Sequence, residues 1–155
     1  MNSAGSEPAL IGVDWGTTSL RAFLIDTNGQ VMDGVSSPEG IMHASGKTFE
    51  AILDRLIGPW RKQAKVPVIA SGMITSRNGW VETPYAALPL GARDLARALV
   101  PYDMASGARI HFVTGAMIET VGAPDVMRGE ETQIIGASAL GLNAGVFVMP
   151  GTHSK

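Results

Sequence analysis

The amino-terminal third of the chain alternates short apolar runs with turn residues, a pattern that is typical of β-hairpins. Residues 10–14 and 20–26 form two apolar runs, which a loop of glycine and hydroxyl residues separates. The dipeptide Asn28-Gly29 then marks a tight turn before a third β-rich run at residues 31–37. The pattern therefore predicts three strands that follow one another as antiparallel hairpins.

The rest of the chain alternates helical and strand-like patterns. Between residues 48 and 60, apolar side chains at helical spacing predict one face of a helix, formed by Phe49, Ile52, Leu53, Leu56, Ile57 and Trp60. The Gly58-Pro59 pair is expected to kink or end that helix. Further helices are predicted at residues 92–99 and 130–140, and buried strands at residues 66–70, 110–114 and 146–149.

The predicted element order is β-β-β-α-β-α-β-α, followed by the strand at residues 146–149. An antiparallel meander that leads into parallel strands favours a ribonuclease-H-like α/β domain with a mixed sheet. A doubly wound nucleotide-binding fold would instead place a helix directly after the first strand. Because ligands bind beyond the carboxyl ends of parallel strands, the loops after Asp14, Ala70 and Thr114 are expected to converge on one side.

Composition and charge exclude several classes of protein. The 155 residues include 12 Lys and Arg against 14 Asp and Glu, a net charge of -2, so no basic surface for nucleic acid or an anionic membrane is indicated. The lack of cysteine excludes disulfides and thiolate metal sites, and no apolar run reaches the ~18 residues of a membrane span. Residues 1–9 lack the features of a signal peptide and are predicted to be a disordered tail. We therefore expect a cytoplasmic protein.

The loop between the first two predicted strands has the composition of a phosphate-binding hairpin. The first strand delivers Asp14 to its carboxyl end, and Gly16 allows backbone N–H groups to approach a phosphate closely. Thr17, Thr18 and Ser19 add hydroxyl donors. A Walker or Rossmann phosphate loop would open a helix, whereas the segment after Ser19 is β-rich, so this loop is of a different kind.

The predicted loop at residues 71–85 mixes small hydrogen-bonding groups with aromatic rings. Ser76 and Asn78 suit the recognition of a hydroxylated small molecule, which Trp80 and Tyr85 would shield from water. An equally weighted interpretation is a surface loop whose aromatic rings cover the core.

Glu130 and Glu131 begin the predicted third helix. Acidic residues in a first helical turn complement the helix dipole and are common for that reason alone. The same dipole, with Arg128 beside it, keeps a carboxylate ionised, as a general base that accepts a proton from a hydroxyl requires. Both interpretations stay open at this point.

The end of the chain repeats the layout of the first loop with a different sequence. A predicted strand leads into Gly151, Thr152 and His153, and two such loops facing each other would form a nucleotide site. A single histidine is more often a structural hydrogen-bonding residue than a ligand. His43 and His111 lack the spaced Cys, His or acidic partners of a zinc site, and no Ser-His-Asp arrangement with nucleophile-elbow spacing is present.

These segments together resemble a known family. The run Asp14-Trp15-Gly16-Thr17-Thr18-Ser19-Leu20-Arg21 is similar to the first phosphate loop of the actin, heat-shock-protein and sugar-kinase superfamily. From about residue 10 to its end, the chain resembles the 2-dehydro-3-deoxygalactonokinases. The later segments that carry this resemblance are Gly72-Met73, Asn78-Gly79-Trp80, Pro84-Tyr85, Met127-Arg128-Gly129-Glu130-Glu131-Thr132-Gln133 and Pro150-Gly151-Thr152-His153-Ser154-Lys155.

The resemblance implies an actin-like fold and a kinase that uses ATP and Mg²⁺ to phosphorylate the terminal (6-) hydroxyl of a small sugar acid, 2-dehydro-3-deoxy-D-galactonate, in galactonate catabolism. It implies that Asp14 holds Mg²⁺ through water, and that Glu131, or in second place Glu130, is the catalytic base. The residues implied to bind the nucleotide phosphates are Gly16, Thr17, Thr18, Arg21, Gly151, Thr152 and His153. Those implied to face the sugar acid are Ser76, Asn78, Trp80, Tyr85 and Arg128.

Members of the family continue past Lys155 into a second domain. Residues 10–145 are therefore expected to form the amino-terminal domain and residues 146–155 the start of the second, so that the chain is the first half of a two-domain kinase and inactive by itself. Two alternatives remain. One is a phosphohydrolase of the exopolyphosphatase type, which only the Gly129-Glu130-Glu131 segment favours. The other is a non-catalytic, self-associating domain. A homodimer stays open as the oligomeric state.

Overall fold

The computed structural model describes residues 6–44, 46–119, 122 and 124–150. Helices and strands alternate in this part of the chain, which confirms the α/β class. The strands are β1 (Pro8–Trp15), β2 (Leu20–Asp26), β3 (Val31–Ser37), β4 (Val68–Ser71), β5 (Tyr85–Ala87), β6 (Val100–Asp103), β7 (Arg109–Phe112), β8 (Gly115–Ile118) and β9 (Asp125–Met127). The helices are α1 (Gly46–Gln63), α2 (Ala92–Arg97) and α3 (Glu130–Ala139).

A six-stranded mixed sheet forms the centre of the fold, in the order β3-β2-β1-β4-β7-β6. Strands β1, β2 and β3 are joined as antiparallel hairpins. Strand β4 runs parallel to β1, and β7 runs parallel to β4, whereas β6 returns antiparallel at the edge. A smaller three-stranded sheet has the order β5-β8-β9. The carboxyl ends of β1, β4 and β7 therefore share one edge of the large sheet.

The main hydrophobic core lies between one face of the large sheet and α1. Alternate residues of the central strands point into it, because side chains in a strand alternate between faces. The buried residues of β1, β2, β4 and β7 are Ile11, Val13, Trp15, Leu20, Ala22, Leu24, Val68, Ala70, Ile110 and Phe112. The predicted stripe of α1 meets them, with Phe49, Ile52, Leu53, Ile57 and Trp60 buried. This packing fixes the strands that end at the candidate site.

Strand β1 starts earlier than the predicted disordered tail allows. Pro8 and Ala9 belong to the strand, and Pro8 pairs with Asp26 of β2. The Thr27 N–H also donates to the Glu7 carbonyl at 3.1 Å. A proline is tolerated as the first residue of a strand, since its missing N–H then costs no ladder hydrogen bond. The prediction that residues 1–9 form a tail is therefore wrong at Pro8 and Ala9, and residues 1–5 lie outside the described part.

Helix α1 does not end at Gly58-Pro59 but continues to Gln63. Tertiary contacts hold its last turn in place, because Trp60 is buried and its Nε1 donates to Asp33 Oδ2 of β3 at 2.9 Å. Arg61 also bonds Asp54 two turns back, with Nη1 and Oδ1 2.5 Å apart. Packing thus outweighs the local cost of the proline, which sequence alone did not indicate.

The predicted strand at residues 146–149 is wrong for the described chain. These residues form no regular element, and Val146 and Val148 are 92% and 72% exposed. A strand needs a partner for its backbone groups, and the part of the chain described here offers none. The observed order also contains four short strands, β5, β6, β8 and β9, that the prediction lacked. Their three or four residues are too few to show a period.

Candidate functional site

Asp14 lies near the carboxyl end of β1, directly opposite Arg21 of β2. Arg21 Nη2 is 2.5 Å from Asp14 Oδ2, and both side chains keep substantial exposure. The other oxygen, Oδ1, accepts no hydrogen bond from the described residues. The hairpin register therefore presents a carboxylate and a guanidinium side by side at the sheet edge, with one carboxylate oxygen uncommitted.

The hairpin loop, residues 16–19, presents backbone amides beside Asp14. Gly16 N–H is used within the turn, donating to the Ser19 carbonyl at 2.8 Å. The N–H groups of Thr17 and Thr18 have no acceptor within the described ranges. Ser19 N–H has no acceptor there either, so the amides of Thr17, Thr18 and Ser19, and not that of Gly16, are the donors that this loop can offer an anion.

Gly40 holds the hairpin loop from behind, a role that sequence reasoning missed. Ile41 N–H donates to the Gly16 carbonyl and Met42 N–H to the Thr17 carbonyl, each at 3.1 Å. A β-carbon on Gly40 would overlap the backbone of Thr17. Only glycine permits this approach, because the obstacle is main chain that cannot rotate away. No motif marks Gly40, since its constraint comes from a distant part of the chain.

Two glycines with positive φ bring the start of α3 against the end of β1. Gly72 follows β4 with a φ of +100°, and a β-carbon there would lie 2.8 Å from the Trp15 carbonyl oxygen and 3.4 Å from Asp14 Oδ1. Gly129 precedes α3 with a φ of +111°, and its β-carbon would lie 3.1 Å from Gly72 Cα. Backbone therefore packs on backbone, which places Glu130 close to Asp14.

The two acidic residues at the start of α3 have different environments. Glu130 is half-buried, and its Oε2 accepts from Arg128 N–H at 2.9 Å. Glu131 is only 4% exposed, and its Oε2 accepts from Gly129 N–H at 2.7 Å. Burial raises the pKa of Glu131 above its ordinary value, although hydrogen bonds from the backbone and from Thr132 oppose the rise. The two carboxyls are therefore chemically distinct.

Arg128 is held by hydroxyl and carbonyl oxygens, and no carboxylate pairs with it among the described residues. Its Nη1 donates to the Thr75 carbonyl at 2.6 Å and to Thr83 Oγ1 at 2.8 Å, and its Nη2 donates to the Thr83 carbonyl at 3.1 Å. The guanidinium also lies over the Tyr85 ring at 4.2 Å. Its Nε is buried without an acceptor within the described chain. Arg128 is thus oriented but not neutralised.

The other predicted substrate residues are not brought together with Asp14. Trp80 is half-buried and packs against the core, with its ring centroid 5.2 Å from that of Tyr102 and 5.6 Å from that of Phe112. Asn78 is exposed, and Ser76 Oγ is buried with no partner in the described ranges. This favours the interpretation of Trp80 as cover for the core.

A cleft of about 250 Å³ brings together some of the candidates, and we call it the site cleft. Thr17, Thr18 and Tyr85 do not line it. Its lining residues are Asp14, Gly16, Ser19, Arg21, Gly72, Arg128, Gly129, Glu130, Gln133, Met149 and Pro150. Glu131, the first choice for the base on sequence, does not line it, whereas Glu130 does. Gln133 was not predicted, although it follows Glu130 by one helical turn. Gly151, Thr152 and His153 lie outside the described residues.

A larger cavity of about 560 Å³ adjoins the site cleft on the sheet face away from α1. Apolar side chains dominate it, among them Leu10, Phe23, Ile25 and Ile69. It shares Asp14, Arg21, Gly129 and Gln133 with the site cleft. The smaller cleft adds Glu130 and Arg128 to these shared groups, and this convergence of charge makes it the candidate chemical site.

The described residues contain no group of three or more His, Asp or Glu side chains placed to hold a metal ion. None of the helices in the described part has both the length and the apolar character needed to cross a bilayer.

Comparison with known proteins assigns the chain to a family. Residues 14–155 match the family model described as 2-keto-3-deoxy-galactonokinase. A Rhizobium meliloti (strain 1021) protein, provisionally named 2-dehydro-3-deoxygalactonokinase, is 40% identical over 100% of this chain and 50% of its own length. The 2-dehydro-3-deoxygalactonokinase of Escherichia coli (strain K12) is 36% identical over 94% of this chain and 47% of its own.

A solved structure agrees with these relatives. The crystal structure of a Sinorhizobium meliloti protein, provisionally described as a 2-dehydro-3-deoxygalactonokinase, matches with a TM-score of 0.81 and 38% identity, over 94% of this chain and 47% of that one. The chain thus spans about half the length of the curated relatives it matches. It belongs to the 2-keto-3-deoxy-galactonokinase family of carbohydrate kinases.

Proposed function

We propose that the protein carrying this chain transfers the γ-phosphoryl group of ATP to the 6-hydroxyl of 2-dehydro-3-deoxy-D-galactonate, and that this chain supplies the first phosphate loop and the catalytic base. One observation carries the proposal: Asp14, Glu130 and the hairpin loop converge on a single cleft. Phosphoryl transfer depends chiefly on positioning and charge neutralisation, which such a cleft provides.

We also propose that the fold is the ribonuclease-H-like, actin-like domain expected from sequence, with residues up to 145 in the first domain. The order β3-β2-β1-β4-β7 supports it, since an antiparallel meander leads into parallel β4 and β7. On this assignment β5, α2 and β6 form an insertion between the two parallel strands. Because ATP is the proposed phosphate donor, we place the protein in the cytoplasm.

Asp14 fits a Mg²⁺ ion that is bound through water. Its Oδ1 is uncommitted, and the missing side chain of Gly72 leaves room beside that oxygen. Mg²⁺ keeps several waters and takes one or two carboxylates together with substrate phosphates, so a single aspartate is sufficient. The bound ion would neutralise charge on the transferred phosphoryl group.

The hairpin loop fits the phosphates of the nucleotide. The N–H groups of Thr17 and Thr18 are available within the described chain, and both side chains add hydroxyl donors. Arg21 lies at the cleft wall and contributes positive charge while it orients Asp14. The proposal extends to Gly151, Thr152 and His153 as a second phosphate loop, on the resemblance alone.

Arg128 fits the carboxylate of the sugar acid. Its guanidinium is fixed by Thr75 and Thr83 and has no anionic partner in the described structure, so a carboxylate would supply the missing counter-charge. Ser76 Oγ, next to Thr75, is a second buried group without a partner in that part of the chain. The Tyr85 ring lies against the guanidinium, and Trp80 packs the loop at residues 71–85 against the core.

Glu130 is positioned to act as the general base. Glu130 lines the site cleft together with Asp14, and the base in this chemistry accepts the proton of the attacking hydroxyl. Glu131 is a weaker candidate, because burial separates it from the cleft.

The test is a kinase assay on the full-length protein with ATP, Mg²⁺ and 2-dehydro-3-deoxygalactonate, comparing wild type with Asp14→Asn. We expect phosphorylated sugar acid only with all three components, and loss of activity in Asp14→Asn. Full activity in that variant would refute the role of Asp14. Phosphate release without any acceptor would instead favour a phosphohydrolase, and dimerisation without a nucleotide-induced thermal shift would favour a non-catalytic domain.

A further inference from the structure

We propose that Glu131 is a positioning residue, a buried carboxyl that fixes the turn before α3 and thereby places Glu130 in the site cleft. The inference rests on the proposed function and deepens it, because it divides the two adjacent acids between two tasks.

The contacts of Glu131 all lie inside the protein. Its Oε2 accepts from Gly129 N–H at 2.7 Å, and its Oε1 accepts from Thr132 Oγ1 at 3.2 Å and lies 3.5 Å from Ser71 Oγ. Ser71 and Thr132 are in turn joined through their hydroxyls at 2.8 Å. Glu131 therefore links the end of β4 to the first turn of α3. Glu131 itself does not line the site cleft, and its carboxyl reaches the cleft lining through Gly129.

The turn that Glu131 fixes is the one from which Glu130 and Arg128 project. Gly129 adopts a φ of +111° and packs on Gly72, and its N–H is held by Glu131. The preceding N–H, that of Arg128, is held by Glu130. Two successive backbone N–H groups thus each donate to the carboxylate of the residue two positions later. If the Gly129 bond were lost, the turn could relax, and Glu130 would lose its fixed position relative to Asp14.

A glutamine at position 131 can make the same contacts. Its amide oxygen can accept from Gly129 N–H, and its NH₂ group can donate to Ser71 and Thr132, because hydroxyls accept as well as donate. A positioning role therefore tolerates Glu131→Gln, whereas a proton-accepting role does not. Alanine at the same position removes every contact, so it measures what the contacts contribute.

The experiment compares Glu131→Gln, Glu131→Ala and Glu130→Gln in the full-length protein. We expect Glu130→Gln to lower kcat by about 100- to 10,000-fold. Glu131→Ala should lower kcat by about 100-fold through misplacement of the base. Glu131→Gln should keep a kcat much closer to that of the wild type than to that of Glu131→Ala. Loss of activity in Glu131→Gln equal to that in Glu130→Gln would overturn the proposal, and so would an unaltered kcat in Glu131→Ala.

A second measurement does not depend on activity. Hydrogen exchange of the Gly129 amide in the 155-residue chain should be accelerated in Glu131→Ala and remain slow in Glu131→Gln. Equal exchange in both variants would contradict the positioning role. An inactive wild-type protein would refute the proposed kinase, while this exchange result would still decide the role of Glu131.

Discussion

Gly129 packs against Gly72 so closely that a β-carbon on Gly129 would lie 3.1 Å from Gly72 Cα. One glycine ends the β4 region and the other begins α3, so their contact brings the base candidate to the metal-binding candidate. The geometry of the site cleft therefore depends on two residues that have no side chain.

We predict that Gly72→Ala destabilises the chain more than a positive φ alone explains. The φ of +100° should cost about 1–3 kcal/mol, and the new β-carbon would also lie 2.8 Å from the Trp15 carbonyl oxygen. Gly107→Ala is the matched control, because Gly107 has a φ of +78° with open space around it. Urea denaturation of both variants measures the difference, and equal losses would show that the close approach does not matter.

Gly40→Ala should destabilise the hairpin loop, although alanine favours the backbone conformation that Gly40 adopts. Gly40 has a φ of -68°, which alanine adopts readily, so the cost comes from overlap with the backbone of Thr17. Such overpacking costs about 1–3 kcal/mol. Gly136→Ala, inside α3 and with nothing near its β-carbon, should instead stabilise by about 0.5–1 kcal/mol. Thermal unfolding should show a lower Tm for Gly40→Ala and a higher Tm for Gly136→Ala than for the wild type, and a Tm for Gly40→Ala that is not lowered would contradict the contact.

Arg21→Ala should weaken Mg·ATP binding without unfolding the protein. Exposed ion pairs contribute about 1 kcal/mol or less, so stability should change little. Loss of a charged donor to phosphate should lower affinity by about tenfold or more. Arg109→Ala breaks a similar exposed pair with Asp103 at the opposite sheet edge, away from the site cleft. Calorimetric titration of the full-length protein should show weaker binding only for Arg21→Ala.

Glu131→Gln should stabilise the 155-residue chain increasingly as the pH rises. Burial raises the pKa of Glu131, so the folded state favours the protonated form. The stability that the protonated Glu131 carboxyl contributes is fully present below the unfolded-state pKa of about 4.3. It is lost as the pH rises through the pKa of Glu131 in the folded state. Glutamine cannot ionise, so its advantage should be small near pH 4 and larger near pH 8. A difference in free energy of unfolding that shrinks with pH would contradict this assignment.

Trp80→Ala should destabilise the chain by about 3 kcal/mol, as expected for an aromatic ring lost from a core. The ring contacts Trp15, Phe49, Tyr102 and Phe112. Asn78→Ala in the same loop is exposed and should change stability by no more than about 0.5 kcal/mol. If Trp80 acted only as a wall for the substrate, urea denaturation would show similar small effects for both.

Sequence patterns located the parts of the site that depend on local order. The run from Asp14 to Ser19 predicts a strand that ends in a hairpin, and the structure places Asp14 beside the loop. Likewise Glu130 was expected at a helix start and is found there. These features need only the hydrophobic period and turn chemistry of neighbouring residues.

The features that sequence did not reveal depend on contacts between distant segments. Gly40 must be glycine because of Thr17, and the buried Glu131 contacts Ser71, which lies 60 residues away, so neither constraint leaves a local pattern. The order of the two acids as base candidates was set by resemblance, whereas in the structure Glu130, and not Glu131, lines the site cleft. The aromatic ring of Trp80 could not be assigned to core or surface without its tertiary neighbours.

Strand β3 is an outer strand of the large sheet, and Asp33 on it directs its carboxylate to Trp60 of α1. An exposed charge on an outer strand and the bulge beside Leu24 both discourage another chain from continuing a sheet. Addition of strands from other chains at the β3 edge, which could build a fibre, is therefore disfavoured. This holds even though Val31 and Met32 expose apolar surface there. If two copies of the chain associate, they should not do so by pairing one β3 with another.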